Sequence, residues 1–212
     1  MMLGARTAAW AKNGAPLPYL RRVAYLEYDG NQYIDTLVVP TQGYSFGASV
    51  LNITAGEPSK YGINGAKGPN SRFAFGLGPG GRYGKYFGLS QVNDDTYSSL
   101  VLNEWIDWAL DSASKIGTAG SEMVNILNAN ALDANGKSIY LMLSNPINNN
   151  DRHKGRCRNA WIKDQNGDYV FNAIPVLDLS GRPAMYDDVS GQFFYNQGTG
   201  EFTWGELDSQ TT

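Results

Sequence analysis

Short runs of alternating apolar and polar residues, each closed by Gly, Asn, Asp or Pro, fill this chain from Pro18 almost to its end. A period of two puts every second side chain on one face of a strand. No long segment repeats its apolar residues at helical spacing. The helical crossovers that parallel strands require are therefore not expected, and the strands should pair antiparallel. In YSFGASVLNI, Phe46, Ala48 and Val50 share one face, with Ser45, Gly47 and Ser49 on the other. RFAFGLG turns Phe73, Phe75 and Leu77 inward, and RYGKYFGLS sets Phe87 and Leu89 against Arg82, Tyr86 and Ser90. NEWIDWALD separates Ile106, Trp108 and Leu110 from Trp105, Asp107 and Ala109.

Turn chemistry divides these runs. AYLEYDGNQYIDT reads as two short strands around an Asp-Gly-Asn turn, and a further strand with Ile139, Leu141 and Leu143 follows a turn at Asn135–Gly136. RNAWIKDQNGDYVFNAIPVLD is the clearest hairpin, its arms flanking Asn166–Gly167. SEMVNILNANAL fits a strand or a helical turn, with strand slightly favoured. A length of 212 residues suits one large domain, and 25 Gly with 13 Tyr match a protein of many turns and aromatic strand positions. The division expected is an arm or short helix over 1–18, a β-sandwich over 19–207 and a tail over 208–212. Ala8, Ala9 and Ala11 favour the helix, and Gly14, Pro16 and Pro18 end it.

Charge and rare residues exclude several functions. A net charge of −3 argues against nucleic acid as a partner, which requires a clustered positive surface. The one dense basic group, Arg152, Lys154, Arg156 and Arg158, reads as a loop and the start of a strand rather than a phosphate site. A single cysteine, Cys157, allows no internal disulfide, and a single histidine, His153, no His-based zinc site. As a nucleophile and base these two would stand roughly 13 Å apart on a strand, so a structural cysteine is expected. No apolar run reaches the ~20 residues of a membrane helix, and no conventional export signal is evident at the N-terminus.

Two segments carry a more specific likeness. Tyr25, Leu26 and Glu27, followed by Gln32, Tyr33, Ile34, Asp35 and Thr36, resemble the opening strands of concanavalin A-like (laminin G-like) domains. These are common in gut bacterial surface proteins and phage tail-associated proteins. Ile174–Pro175, Met185–Tyr186–Asp187, Val189–Ser190–Gly191, Phe193–Phe194–Tyr195–Asn196 and Gly198–Thr199–Gly200 resemble that family's closing segment, with AWIKDQNGDYV as the hairpin before it and NDRHKGR as the loop leading in. The likeness spans roughly residues 23 to 205 and is weak between 90 and 135. It implies a jelly-roll sandwich of two antiparallel sheets. It implies no particular site, since this architecture hosts lectins, hydrolases and structural modules alike.

Hydrolases of this architecture carry acids at alternate positions of one strand, so that all point into the cleft. Here Glu104 and Asp107 are three apart and out of phase, and Ala109 stands where a further acid belongs, so no catalytic activity is expected. Asp164, Asn166 and Asp168 mimic a calcium loop, but the strand Tyr169-Val170-Phe171 follows where the loop should continue. Asp187–Asp188 and Asp94–Asp95 read as turn and loop residues. No cofactor is expected, though a calcium ion assembled from distant loops stays open. GLGPGGRYG lacks the Gly-Lys-Ser/Thr ending of a phosphate loop.

Arg82, Tyr86, Trp105, Asp107 and Tyr140 are left, large or charged residues facing away from the apolar side of their strands. They are the candidate carbohydrate-binding set, weighed against plain packing on a loop, an N-terminal arm or a neighbouring subunit. The expectation is a non-catalytic carbohydrate-binding or adhesion module of a phage virion or bacterial surface. Its partners would be a cell-surface polysaccharide and other virion or surface proteins, with a homo-oligomer compatible. The rival expectation is a structural module that decorates or trimerises a fibre, and a glycoside hydrolase is the weakest.

Overall fold

The computed structural model describes residues 16–53, 102–120, 136–142 and 154–207, together with the strands 62–67, 72–78, 82–88, 90–93 and 122–125. The arm or helix expected over 1–18 falls, apart from 16–18, outside the described residues, as does the tail. Among the described residues the protein is all-β, with no helix and every strand pairing antiparallel. In chain order the strands are β1 (Arg21–Arg22), β2 (Tyr25–Tyr28), β3 (Ile34–Asp35), β4 (Ser45–Asn52), β5 (Gly62–Lys67), β6 (Arg72–Gly78), β7 (Arg82–Gly88) and β8 (Ser90–Asn93). They continue with β9 (Trp105–Asp111), β10 (Ile116–Ala119), β11 (Glu122–Asn125), β12 (Tyr140–Leu141), β13 (Gly155–Lys163), β14 (Tyr169–Leu177), β15 (Pro183–Asp187), β16 (Gln192–Phe194) and β17 (Thr203–Gly205).

A large sheet runs β11-β10-β9-β4-β13-β14-β15-β16, with β1 on β14, and β2 between β13 and β17. A smaller sheet runs β3-β12-β5-β6-β7-β8. The alternation read from sequence decides which faces meet. Phe46, Ala48, Trp108, Leu110, Cys157, Ala160 and Ile162 are buried on the inner face of the large sheet. Phe46 crosses to Phe73 of the smaller sheet at 4.7 Å between ring centroids and meets Trp108 edge-on at 5.2 Å. Such edge-to-face pairs add to area burial rather than merely filling space. Ile34, Ile139 and Leu141 join the same core from β3, the residue before β12 and β12 respectively. The two sheets therefore share one interior.

The opening strands depart from the expectation in one respect. Both exist, but β2 lies in the large sheet and β3 in the small one, so they do not pair with each other. Asp29, Gly30 and Asn31 carry the chain between sheets, with Gly30 at φ 97° and the Asp29 carboxylate accepting from the Asn31 backbone N–H at 3.0 Å. SEMVNILNANAL forms a strand over Glu122–Asn125, and its remainder lies outside the described residues.

The hairpin around Asn166–Gly167 is present as β13–β14, yet its turn is longer than a tight two-residue connection. Lys163 pairs with Tyr169, leaving Asp164–Asp168 as the loop. The Asp164 carboxylate accepts backbone N–H groups from Asn166 at 2.8 Å and Asp168 at 3.0 Å, and Gly167 takes φ 85°. The β14–β15 connection repeats this device: Asp178 accepts from the N–H groups of Ser180 and Arg182, with Gly181 at φ 88°. An aspartate whose oxygens cap its own turn has an ordinary structural role. The same holds for Asp187, buried and accepting from Asn172, Val189 and Ser190.

The two segments that carried the family likeness meet. Tyr33 N–H donates to Asn196 Oδ1 at 3.1 Å, Gln197 N–H to Tyr33 O at 2.9 Å and Thr199 N–H to Asn31 O at 3.1 Å. β17 then pairs with β2, so the ends of the domain are laced together.

Candidate functional site

The outer face of the large sheet presents its side chains in a pattern set by one irregularity. Between Cys157 and Asn159 the pairing of β13 with β4 shifts register, which makes Arg158 part of a bulge. The burial pattern of β13 shows it as two consecutive exposed residues, Arg158 and Asn159, between the inward Cys157 and Ala160. On a regular strand Arg158 and Trp161, three apart, would face opposite ways. The bulge re-aims them to one face.

Arg158 is held from three sides. Its Nε donates to Ser49 Oγ at 2.6 Å, its Nη2 lies 3.4 Å from Asp107 Oδ1, and its guanidinium covers the Trp105 ring at 4.8 Å. One step along β13, Arg156 covers the Tyr25 ring at 4.5 Å and donates through Nε to Glu27 Oε2 at 2.7 Å, with Lys154 at 3.7 Å from the other Glu27 oxygen. Tyr25 and Trp105 stand three strand spacings apart, about 14 Å, yet their ring centroids are 6.1 Å apart. The Tyr25 ring also lies against Gly205 of β17, where a Cβ would collide with it.

Next along the same face opens a groove of about 290 Å³, lined by Ser45, Ala109, Asp111, Ser114, Trp161 and Lys163 among others. Ala109 of β9 is in its lining and pairs with Gly47 of β4, which pairs in turn with Trp161 of β13. The indole lies over Gly47: a Cβ at that position would stand 2.7 Å and 2.8 Å from two of its ring carbons. Lys163 Nζ sits 5.6 Å from the centroid of Trp161 and 4.5 Å from that of Tyr169, which closes edge-on against the indole at 6.4 Å. The groove thus has one aromatic wall, Ala109 in its lining and a rim of hydroxyl, carboxylate and ammonium groups.

The five residues expected to bind sugar are divided between the sheets. Trp105 and Asp107 lie together on the outer face of β9, joined through Arg158. Tyr140 belongs to the smaller sheet, pairs with Asp35 and Gly65, and packs its ring edge-on against Tyr33 at 5.8 Å. Arg82 and Tyr86 are on β7 of that sheet, paired with Gly78 and Ala74, and their side chains lie outside the described residues. Trp161, Lys163, Arg156, Arg158 and Tyr25 were not among the candidates. The N-terminal segment covers a different part of the outer face, where Tyr19 meets Tyr186 at 5.3 Å beside Leu17, Phe193 and Tyr195.

Other candidates take structural roles. The buried Cys157 thiol is pushed up to about 12 by loss of water, which its hydrogen bond to the Asn159 carbonyl only partly offsets. His153 lies outside the described residues, as do Asp94 and Asp95. Glu104 is exposed just before β9, and Asp107 faces the cation of Arg158. Among the described residues no group of three His, Cys, Asp or Glu side chains is arranged to hold a metal ion, and no helix is long and apolar enough to cross a membrane. No protein-family model matches the sequence, and no curated protein is significantly similar to it.

Proposed function

We propose that this chain is a non-catalytic carbohydrate-binding or adhesion module with a concanavalin A-like jelly-roll fold, displayed on a phage particle or a bacterial surface. The observation that carries the binding role is the Trp161 indole spread over Gly47 at the wall of the outer groove. An indole face presents negative potential to the polarised C–H groups of a sugar ring. Asp111, Ser114, Ser45 and Lys163 stand at the rim to take its hydroxyls. At about 290 Å³ the groove is at the small end of ligand sites, sized for one or two ring units rather than a large cofactor. Two sheets sharing one core support the sandwich, and the lacing of the opening and closing segments supports the jelly-roll likeness. The phage or surface setting rests on that likeness alone.

A glycan array probed with the purified chain and with Trp161→Ala tests this reading. Binding by the parent and its loss in the variant, at an unchanged melting temperature, is the expected result. Equal binding by both would move the site elsewhere. A second reading, a decoration or oligomerisation module of a fibre, draws on Leu37 and Val39, which are 70% and 44% exposed. Sedimentation showing a stable oligomer, with no glycan bound, would favour it.

A further inference from the structure

We infer that the Arg156–Arg158 pair forms a carboxylate subsite beside the groove, so that the saccharide recognised is acidic. The inference rests on the saccharide reading above and adds the chemical class of the ligand. Arg158 lies opposite the outward row of Ser49 and Asp107, and the next outward row is Gly47, beneath the Trp161 indole, with Ala109, which lines the groove. Successive outward rows are about 7 Å apart along a strand. A ring unit on Trp161 therefore places its neighbour, or its own exocyclic group, over Arg158.

Both guanidinium groups are fixed before any ligand arrives. Each lies against an aromatic ring, at 4.5 Å and 4.8 Å, and each is tied through Nε, to Glu27 and Ser49 respectively. Among the described residues nothing accepts a hydrogen bond from either terminal nitrogen of Arg156 or from Nη1 of Arg158. The Asp107 contact on Nη2 is long, at 3.4 Å, and the Asp107 side chain is 76% exposed, so an incoming anion can displace it. Planar forks of this kind match a carboxylate with paired N–H donors.

The test uses the full chain and a panel of hexuronate- and sialate-bearing oligosaccharides, each beside its carboxyl methyl ester, with affinities from calorimetry at low and moderate salt. The expected result is that at least one acid binds about tenfold or more tightly than its ester. Arg156→Gln with Arg158→Gln should remove that preference and leave ester binding intact, whereas Trp161→Ala should weaken acid and ester alike. Arg158→Lys, which keeps the charge and the fold but loses the planar fork, should lie between. If esters bind as well as acids and Trp161→Ala abolishes both, the carboxylate subsite is wrong and the saccharide site stands. If neither acids, esters nor neutral glycans bind the folded protein, the saccharide reading fails and this inference with it.

Discussion

Gly198 sits where the closing segment crosses the opening one, and its replacement by alanine tests whether that crossing holds the domain together. A Cβ there would fall inside the van der Waals envelope of the Asn31 carbonyl oxygen and also press on Asn31 C at 3.0 Å and the Tyr33 ring at 3.2 Å. The first obstacle is backbone, which cannot swing aside as a side-chain tip can. To admit the methyl group, Gln197–Thr199 must lift away from Asn31–Tyr33. That loosens the hydrogen bonds from Gln197 N to Tyr33 O, Thr199 N to Asn31 O and Tyr33 N to Asn196 Oδ1. At about 1 kcal/mol net for each bond, the loss is ~3 kcal/mol, in line with other cases of overpacking. For a domain of this size, that lowers the melting temperature by roughly 6–12 °C. Gly181→Ala is the control, because Gly181 has φ 88° but open space around its Cβ, leaving only the backbone strain of about 1 kcal/mol. Urea and thermal melts of both variants decide the matter. If Gly198→Ala costs no more than Gly181→Ala, the lacing is not a structural necessity.

Two further expectations concern titratable groups. Partial burial pushes the Asp178 carboxyl up, but hydrogen bonds from Ser180, Arg182 and Tyr195 outweigh this and hold it at about 2. Its depressed value contributes stability that is fully present above the ordinary carboxylate range, near 3.8, and is lost as pH falls through about 2. Screened by solvent, that contribution is about 1 kcal/mol. The urea-melt gap between the parent and Asp178→Ala should therefore narrow by about this amount between pH 6 and pH 2, and a gap constant with pH would refute the assignment. Cys157, with its thiol pushed up to about 12 in the core, should stay unreactive toward a thiol reagent at pH 8 until the domain unfolds. Rapid labelling of the native protein would contradict its burial.

Most of the inner face was legible because burial and alternation report the same quantity. Phe46, Ala48, Trp108 and Leu110 sit inward as their period of two requires. Strand pairing was harder to read. Tyr25–Tyr28 and Ile34–Asp35 look like the arms of a hairpin, and only long-range pairing with β13 and β17 on one side and β12 on the other reveals that they belong to different sheets. The Asp164–Asp168 loop shows a smaller version of the same limit. Asn-Gly marks a turn, but the carboxylate of Asp164, bonding forward to Asn166 and Asp168, sets its length.

The candidate site exposes a different gap. Alternation says that a side chain points away from its own strand's apolar face, but not which sheet that strand joins. Trp105 with Asp107 and Tyr140 with Arg82 and Tyr86 satisfy the same rule in different sheets, so one list of outward residues mixed two surfaces. Trp161 and Lys163 carried a readable signal, since Ala160 and Ile162 claim the inward positions around them. The groove they form, however, needs Gly47 beneath the indole and Ala109 in its lining, and those come from β4 and β9, more than fifty residues earlier in the chain for Ala109 and further still for Gly47. Arg158 carried a misleading signal. Counted on a regular strand from Trp161 it falls on the core side, and only the bulge at Arg158–Asn159 returns it to the outer face. Deleting Asn159 should remove the bulge yet keep Arg158 on the outer face, in the place opposite Ser49 that Asn159 now holds, because the alternation of Cys157 inward, Arg158 outward and Ala160 inward is then regular.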